Sequence, residues 1–381
     1  MKKIWMLLML IFFISACQEI QPSEPTDANP LISELSSNQL LSTYVSWYGR
    51  HAYQSERVYF YHTATGFKVE FYGRVVAIEL ILEQRQQDIY YSVAKNGEDL
   101  SDAEVYIQTS GTTLWTIEFE SFGHHSLEVV KRSEPEDGIT SLSKISTNGY
   151  FKTVDIEEKP HFLIIGASGI SGHGALGQPG QPRTTANSSS LHSFGYLTAK
   201  AFNGSFEFVA SSGWGLAFGY NDLTGQTNIQ KAYDYVGINP ARQVIMTPHD
   251  HTPIPDYIII NIGGNDYTSV INRLTGFERT AKIQEFKAAV ASFILKLRAD
   301  APDAHILWTM TSGSLNGNAA NEVIQLLDPE DKAYVHMVII KQVGEDGDLA
   351  GANGHASYIT HQKSAQNLID QIELIILSKS V

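Results

Sequence analysis

The chain has 381 residues, a length that suits two domains, and with 43% apolar residues both domains can bury a core. The formal net charge of −14 argues against a nucleic-acid partner, because binding a phosphate backbone requires a basic face. The sequence holds a single cysteine, so we expect no disulfide within the chain, and stability must come from packed cores.

Residues 1–17 predict the export signal of a bacterial lipoprotein. Two lysines precede an apolar run, residues 4–14, which is too short to span a membrane. The run leads to Ser-Ala-Cys at 15–17, which resembles a lipobox, so we predict that Cys17 carries a lipid; the alternative is an ordinary signal peptide with an incidental cysteine. The predicted product is an exported protein, anchored to a membrane of the cell envelope or at the cell surface only through that lipid. Residues 18–33 are polar and contain proline, which predicts a flexible tether.

Residues 34–158 predict an all-β domain. Apolar residues alternate with polar or smaller ones along several short runs, which is the period of a half-buried strand. The runs are 67–71, 76–82, 89–93, 115–119 and 127–129. An Asn-Gly pair at 96–97 is a tight-turn signal. The pattern is typical of a jelly-roll β-sandwich, for which we expect a role in structural support or sugar contact.

Residues 159–381 predict an α/β domain. Strand-like apolar runs occupy 162–165, 206–210, 257–262, 306–310 and 335–340. Helix-like segments lie between and after them, at 191–202, 281–298, about 318–327 and 358–377. Strands separated by helices indicate a parallel sheet covered on both faces, hence a three-layer domain.

Residues with chemical potential follow three of these strands and precede the last helix. Ser168 lies in a glycine-rich turn after the first strand, Gly213 follows the second in SSGWG, and Asn265 follows the third in GGND. His355 lies in the loop before the final helix. Because the carboxyl ends of parallel strands meet at one edge of the sheet, we expect these four residues to converge.

The four residues suit acyl transfer. A serine hydroxyl needs a neighbouring base, which His355 would provide for Ser168. The backbone N–H groups of Ser168 and Gly213 and the side-chain amide of Asn265 would stabilise the oxyanion of a tetrahedral intermediate. Each residue also has an ordinary structural interpretation: Ser168 as a helix N-cap, Asn265 as a turn residue and His355 as a surface loop histidine.

Ser168, Gly213, Asn265 and His355 resemble the four sequence blocks of the SGNH (GDSL-type) hydrolase superfamily. The wider patterns around them, together with the segment EVVKRSE at 128–134, resemble carbohydrate esterase family 2 from about residue 40 onward. The resemblance implies a jelly roll followed by an SGNH hydrolase domain. It also implies a serine esterase that removes acetyl groups from xylan- or glucomannan-type polysaccharides or their fragments, without metal or other cofactor. Its nucleophile would be Ser168 and its base His355.

The acidic residue that usually orients the histidine is missing. The family has Asp where this chain has Asn353, and the superfamily's more common Asp corresponds to Ala352. We therefore predict a Ser–His dyad, in which a backbone carbonyl or the side-chain oxygen of Asn353 orients His355. Asp348 is a further candidate for that role.

Several other residues have two interpretations. The family's tryptophan before the histidine is Gly354 here, so Trp214 is a candidate sugar contact, with core packing as the alternative. Histidines 249 and 251 have metal-like spacing, but two ligands do not make a zinc site, and we predict none. Asp266 is expected to fix the turn around Asn265.

Two other functions are compatible with the sequence. The missing acid would suit a non-catalytic carbohydrate-binding lipoprotein. An SGNH esterase acting on another acyl ester, such as those of peptidoglycan, sialic acid or a lipid, would carry the same four blocks.

Overall fold

The computed structural model describes residues 31–155 and 157–379. The predicted export signal with Cys17, and the predicted tether up to residue 30, lie outside the described residues. None of the helices in this part of the chain is long and apolar enough to cross a membrane.

The first part of the described chain is an antiparallel β structure. Its strands are β1 (Glu34–Ser36), β2 (Val45–Tyr48), β3 (His51–Gln54), β4 (Arg57–Phe60), β5 (Gly66–Arg85), β6 (Ile89–Lys95), β7 (Glu104–Gln108), β8 (Thr112–Lys131), β9 (Gly138–Thr147) and β10 (Tyr150–Lys152). The main path runs β3-β4-β9-β5-β8-β6-β7, with β2 and β10 on β5 and β1 on β9. Pairs of predicted runs merge here, because 67–71 and 76–82 both lie in β5, and 115–119 and 127–129 both lie in β8.

Strands β5 and β8 organise this region. They pair antiparallel along most of their length, with a register shift between Gly73 and Val75. Their alternate residues, including Phe71, Ile78 and Ile117, are buried in one core to which the other strands also contribute. The alternation expresses the pleat of a strand, which places every second side chain on the same face.

The second part alternates strands and helices. Its elements are β11 (His161–Gly166), α1 (Phe194–Ala201), β12 (Ser205–Ala210), α2 (Ile229–Tyr233), β13 (Tyr235–Ile238), β14 (Val244–Pro248), β15 (Tyr257–Asn261), α3 (Gly276–Asp300), β16 (His305–Thr311), α4 (Leu315–Gln325), α5 (Pro329–Lys332), β17 (Val335–Ile340) and α6 (Tyr358–Lys379). Five strands form a parallel sheet in the order β12-β11-β15-β16-β17, and β13 pairs with β14.

Helices cover both faces of the parallel sheet. Leu163 and Ile165 of β11 belong to a core that includes the α3 residues Phe286, Val290 and Phe293. The intervening residues of β11 belong to a second core, shared with α1 and α6. This is the expected three-layer arrangement, and the predicted two-part fold is confirmed. All five parallel strands lie within one residue of the predicted runs, whereas the β13–β14 hairpin is not predicted.

A buried ion pair links the two parts. Arg50, just before β3, donates from Nε to Oε1 of Glu207 in β12 over 2.6 Å, and both side chains are almost completely buried. Nη1 of Arg50 also donates to the carbonyl of Tyr235 over 2.9 Å. Burying two charges is costly unless they are paired and hydrogen bonded, so this contact fixes one sheet against the other.

Candidate active site

The predicted site residues follow the carboxyl ends of the parallel strands. Ser168 lies two residues after β11, Gly213 three after β12, and Asn265 four after β15. His355 lies in the segment between β17 and α6. All four are partly exposed, while Ile170, Ser212, Trp214 and Asp266 beside them are buried. The four site residues are therefore accessible to solvent, while the buried residues beside them hold them in place.

Backbone hydrogen bonds join the nucleophile loop to the histidine loop. The N–H of Ala352 donates to the carbonyl of Gly174 over 2.9 Å, and that of Tyr358 donates to Ala175 over 2.9 Å. Gly174 has φ +67°, and a Cβ there would lie 2.5 Å from the carbonyl oxygen of Ala352. Glycine is therefore required where the two loops meet, and Ser168 and His355 are held on adjoining segments.

A second set of hydrogen bonds shapes the loop that carries Gly213. The side-chain amide of Asn265 donates to the carbonyl of Trp214 over 2.7 Å. The buried Asp266 carboxylate accepts three backbone N–H groups, those of Leu216, Ala217 and Phe218, at 2.7–2.9 Å. Burial raises the pKa of Asp266 to about 6, although these three hydrogen bonds oppose the rise. Asp266 thus holds the turn after Gly213, beside Asn265.

Three N–H donors remain available at the site. Within residues 31–155 and 157–379, the backbone N–H groups of Ser168 and Gly213 donate to no protein group. The amide nitrogen of Asn265 carries a second hydrogen besides the one given to Trp214. Gly213 has φ +75°, and a Cβ at this position would lie 2.6 Å from Nη2 of Arg242. The backbone conformation therefore favours glycine at 213, whereas the end of the flexible Arg242 side chain could move aside.

A backbone carbonyl orients His355. Nδ1 of His355 donates to the carbonyl of Asn353 over 3.1 Å, which leaves Nε2 unprotonated and able to accept a proton. Burial lowers the pKa of His355, and the neighbouring His173 ring, 4.3 Å away between centroids, lowers it further. The hydroxyl of Ser168 forms no hydrogen bond to His355 in this structure; such contacts often tighten only when substrate binds.

The structure chooses among the predicted partners of His355. The carbonyl of Asn353 accepts from the ring, whereas its side-chain Nδ2 lies 3.3 Å from Nε2 of His173. Asp348 pairs with Lys363 over 2.8 Å, so its proposed role as orienter is wrong. Trp214 is completely buried, which makes the core interpretation correct and the sugar contact wrong.

Known proteins are similar to this chain over much of its length. The family model "Carbohydrate esterase 2 N-terminal" matches residues 47–153. An acetylxylan esterase / glucomannan deacetylase from Cellvibrio japonicus is 26% identical over 278 residues, covering 71% of this chain and 75% of that protein. These similarities support the resemblance to carbohydrate esterase family 2. The similarity extends beyond the β region, since the 278 aligned residues outnumber those that the family model matches.

Solved structures share the fold of both parts of this chain. A family two carbohydrate esterase from Clostridium thermocellum, in complex with cellohexaose, superposes with a TM-score of 0.75 at 21% identity, covering 87% of this chain and 99% of that one. An acetyl xylan esterase (Est2A) from the rumen bacterium Butyrivibrio proteoclasticus gives a TM-score of 0.75 at 19% identity, covering 91% and 99%. At these identities the likeness is one of fold.

The site also contains a residue that sequence reasoning missed, together with a histidine that lies next to it. Glu134, from the turn between β8 and β9, is buried and accepts hydrogen bonds from Ser171 and Ser212. His173 is buried and lies 3.2 Å from Glu134 through Nδ1. In the sequence Glu134 is only the last residue of a segment typical of the family's β domain, so no local pattern assigns it to the site.

Two groups of side chains in the described part of the chain have the spacing of metal ligands. They are Glu134, Glu136 and His173 beside the site, and Asp234, His251 and Asp300 elsewhere. In each group, one of the carboxylates already contacts a cationic side chain. Arg183 contacts Glu134 over 3.4 Å, and Lys296 contacts Asp234 over 2.8 Å. His249 faces Glu207 at 3.9 Å and belongs to neither group.

Proposed function

We propose that this chain is a family 2 carbohydrate esterase, a serine esterase that removes O-acetyl groups from xylan- or glucomannan-type polysaccharides or oligosaccharides through an acetyl-enzyme on Ser168. The observation that carries the proposal is the arrangement of N–H donors. Those of Ser168 and Gly213 have no protein acceptor in the described residues, and the loop of Ser168 is hydrogen bonded to the loop that carries a histidine with an unprotonated Nε2. This is the donor set that a developing oxyanion requires.

In the first step, Oγ of Ser168 attacks the acetyl carbonyl carbon while Nε2 of His355 takes the hydroxyl proton. The carbonyl oxygen becomes an oxyanion, which the N–H groups of Ser168 and Gly213 and the amide of Asn265 stabilise. The imidazolium is stabilised by its Nδ1–H bond to the carbonyl of Asn353. His355 then gives the proton to the departing sugar oxygen, which leaves a free hydroxyl and an acetylated Ser168.

In the second step, water attacks the acetyl carbonyl while His355 accepts its proton. The same three donors stabilise the second oxyanion. When the intermediate collapses, the proton returns to Oγ of Ser168 and acetate leaves. The lowered pKa of His355 suits both steps, because the ring stays neutral and basic at neutral pH.

The substrate class is supported by the relatives. The Cellvibrio japonicus relative is named for acetylxylan and glucomannan, and the Butyrivibrio proteoclasticus enzyme for acetyl xylan. The Clostridium thermocellum structure contains cellohexaose, a β-linked glucan fragment. All three are named as carbohydrate or xylan esterases and two of the names specify acetyl groups, so we assign carbohydrate deacetylation to this chain.

The test measures acetate released from acetylated xylan and acetylated glucomannan by the wild type and by Ser168→Ala. We expect release by the wild type and none above background by the variant. Binding to either polysaccharide without hydrolysis of an aryl acetate would favour the non-catalytic carbohydrate-binding protein. Faster hydrolysis of long-chain than of acetyl aryl esters would favour a lipid ester as substrate.

We further propose that the enzyme is an exported lipoprotein anchored through Cys17. The support is the apolar segment followed by Ser-Ala-Cys in the sequence. Expression in a bacterial host with a radiolabelled fatty acid should label the wild type and not Cys17→Ala. Equal labelling of both, or of neither, would contradict the anchor.

A further inference from the structure

Glu134 connects the β region to two loops of the candidate site. It lies in the turn between β8, which ends at Lys131, and β9, which begins at Gly138, and it is completely buried. Asp137 fixes this turn, because its Oδ2 accepts the backbone N–H of Glu134 over 2.8 Å. The carboxylate is therefore delivered to the site from a rigid turn outside the parallel sheet.

Each oxygen of the Glu134 carboxylate contacts both loops. Oε2 accepts the backbone N–H of Ser212 over 2.7 Å and the hydroxyl of Ser171 over 3.1 Å. Oε1 accepts the Ser212 hydroxyl over 2.8 Å and lies 3.2 Å from Nδ1 of His173. Ser212 immediately precedes Gly213, and Ser171 and His173 follow Ser168 by three and five residues. One carboxylate thus fixes the nucleophile loop against the loop that carries an oxyanion donor.

The carboxylate must be ionised to accept so many hydrogen bonds. Burial would raise the pKa of Glu134, but the hydrogen bond to His173 and the charge of Arg183 outweigh it and lower the pKa to about 2. The pKa of the nearby Glu136 shifts in the opposite direction, because burial and the charge of Glu134 raise it to about 8. The negative charge beside the two loops therefore belongs to Glu134 at neutral pH.

The contacts continue from Glu134 to the base. Nδ1 of His173 faces two acceptors, the Ser212 hydroxyl oxygen at 2.8 Å, whose hydrogen goes to Glu134, and the Glu134 carboxylate itself at 3.2 Å. Nδ1 therefore carries the hydrogen, and Nε2 is left as an acceptor. Nε2 faces the amide Nδ2 of Asn353 over 3.3 Å. Asn353 has φ +55°, and it is in this left-handed conformation that its carbonyl accepts Nδ1–H of His355. Glu134 thereby also supports the residue that orients the base.

We propose that Glu134 is a positioning residue of the esterase, supplied by the β region, which aligns the Gly213 N–H with the nucleophile loop and supports Asn353 through His173. The proposal rests on the esterase activity proposed above. It predicts that replacing Glu134 slows the chemical step rather than weakening substrate binding, because Glu134 itself is buried and touches no substrate.

Glu134→Gln tests this at nearly constant volume. The glutamine amide accepts hydrogen bonds only at its oxygen. Its NH2 group would therefore face either the Ser212 N–H or the ring N–H of His173, and neither group can accept a hydrogen bond. We expect kcat on 4-nitrophenyl acetate to fall ~10- to 100-fold with KM within about threefold, as for a slightly displaced oxyanion donor. The matched control is Glu207→Gln, which also removes a buried carboxylate that links the two regions but lies away from the four loops.

The outcomes separate the two proposals. A lowered melting temperature with wild-type kcat in Glu134→Gln, as expected for Glu207→Gln, would overturn the positioning role. If Glu134→Gln does not fold, His173→Phe decides by the same kinetic comparison, since it keeps a ring and removes both nitrogens. Hydrolysis retained by Ser168→Ala, or absent from the wild type, would instead overturn the esterase itself.

Discussion

Nδ1 of His355 donates to the backbone carbonyl of Asn353, not to a carboxylate, over 3.1 Å. A carbonyl fixes the tautomer as well as an acid does, because it can only accept. It offers less electrostatic stabilisation of the imidazolium, since it carries no full charge. Burial lowers the pKa of His355, and the negative charge of the nearby Glu134 carboxylate only partly opposes this shift.

Asn353→Ala should therefore be a mild variant. It keeps the carbonyl that orients His355 and loses only the side-chain contact with His173 and the tolerance of asparagine for φ +55°. We expect kcat to fall by roughly three- to tenfold, against ~10³-fold or more for His355→Ala. Steady-state kinetics of both variants check this, and Asn353→Gly controls for backbone strain. A loss as large as that of His355→Ala would mean that the side chain is the orienter.

The acidic limb of the pH–rate profile should lie below the ordinary histidine pKa of 6.5, because burial lowers the pKa of His355. Below that pKa the ring is protonated and cannot take the serine proton. As the pH rises through it, the basic fraction and the rate both increase. The measurement is kcat/KM from pH 4 to 9, with circular dichroism at each pH to exclude acid unfolding. A limb centred above pH 7 would contradict the assignment.

Substitution of Asn265 should mainly reduce the rate, whereas substitution of its neighbour Asp266 should mainly reduce stability. Asn265→Ala removes a candidate oxyanion donor, so we expect kcat to fall ~10²–10³-fold with a small change in melting temperature. Asp266→Asn replaces one acceptor oxygen by a donor where three backbone N–H groups converge, which should cost about 1–3 kcal/mol of unfolding free energy. Kinetics and urea unfolding on both variants provide the comparison. Equal stability losses would show that Asn265 acts only through its bond to Trp214.

Trp214→Ala should destabilise the protein without a specific loss of polysaccharide affinity. The indole is completely buried in the core shared with α3. Removing such a side chain typically costs about 3–5 kcal/mol. Urea unfolding and binding of cellohexaose to the folded fraction check both halves of the prediction. Unchanged stability combined with weaker binding would restore the sugar contact.

Stability should fall in mild acid because buried histidines resist protonation. Burial lowers the pKa of His361 to about 3, and the ring accepts the backbone N–H of Phe194 over 3.3 Å. Its folded pKa lies below its unfolded value, so the contribution is complete above pH 6.5 and is lost as the pH falls toward 3. From pH 7 to pH 5 we expect a loss of about 2 kcal/mol from this residue. Urea unfolding should show a smaller loss in His361→Gln; an equal loss would contradict it.

Prediction from sequence was most accurate for strands whose residue pattern follows directly from their burial in the sheet. The five parallel strands are continuous apolar runs between turns, because both of their faces are covered, and their bounds agree with the prediction to within one residue. The hairpin strand β14, with residues 246–248 exposed, lacks that pattern and was not predicted. Parallel topology places the loops of Ser168, Gly213 and Asn265 at one edge of the sheet, whereas the position of the His355 loop also depends on the hydrogen bond between Ala352 and Gly174.

Other features depend on backbone conformation or on distant contacts. The choice between the carbonyl and the side chain of Asn353 depends on its positive φ, which residue type permits but does not dictate. Glu134 and Ser212 are 78 residues apart and follow strands of different sheets, so no spacing rule connects them. The burial of Trp214 likewise depends on packing against α3, which a turn motif does not reveal.

The Arg50–Glu207 ion pair has a consequence for engineering. Exchanging the first half of the chain with that of a relative would strand Glu207 in the interior unless the incoming segment brings a cation to position 50. An uncompensated buried carboxylate is strongly destabilising. Chimaeras should accordingly be built with matched residues at both positions, and the β half should be treated as an integral part of the hydrolase, not as an interchangeable module.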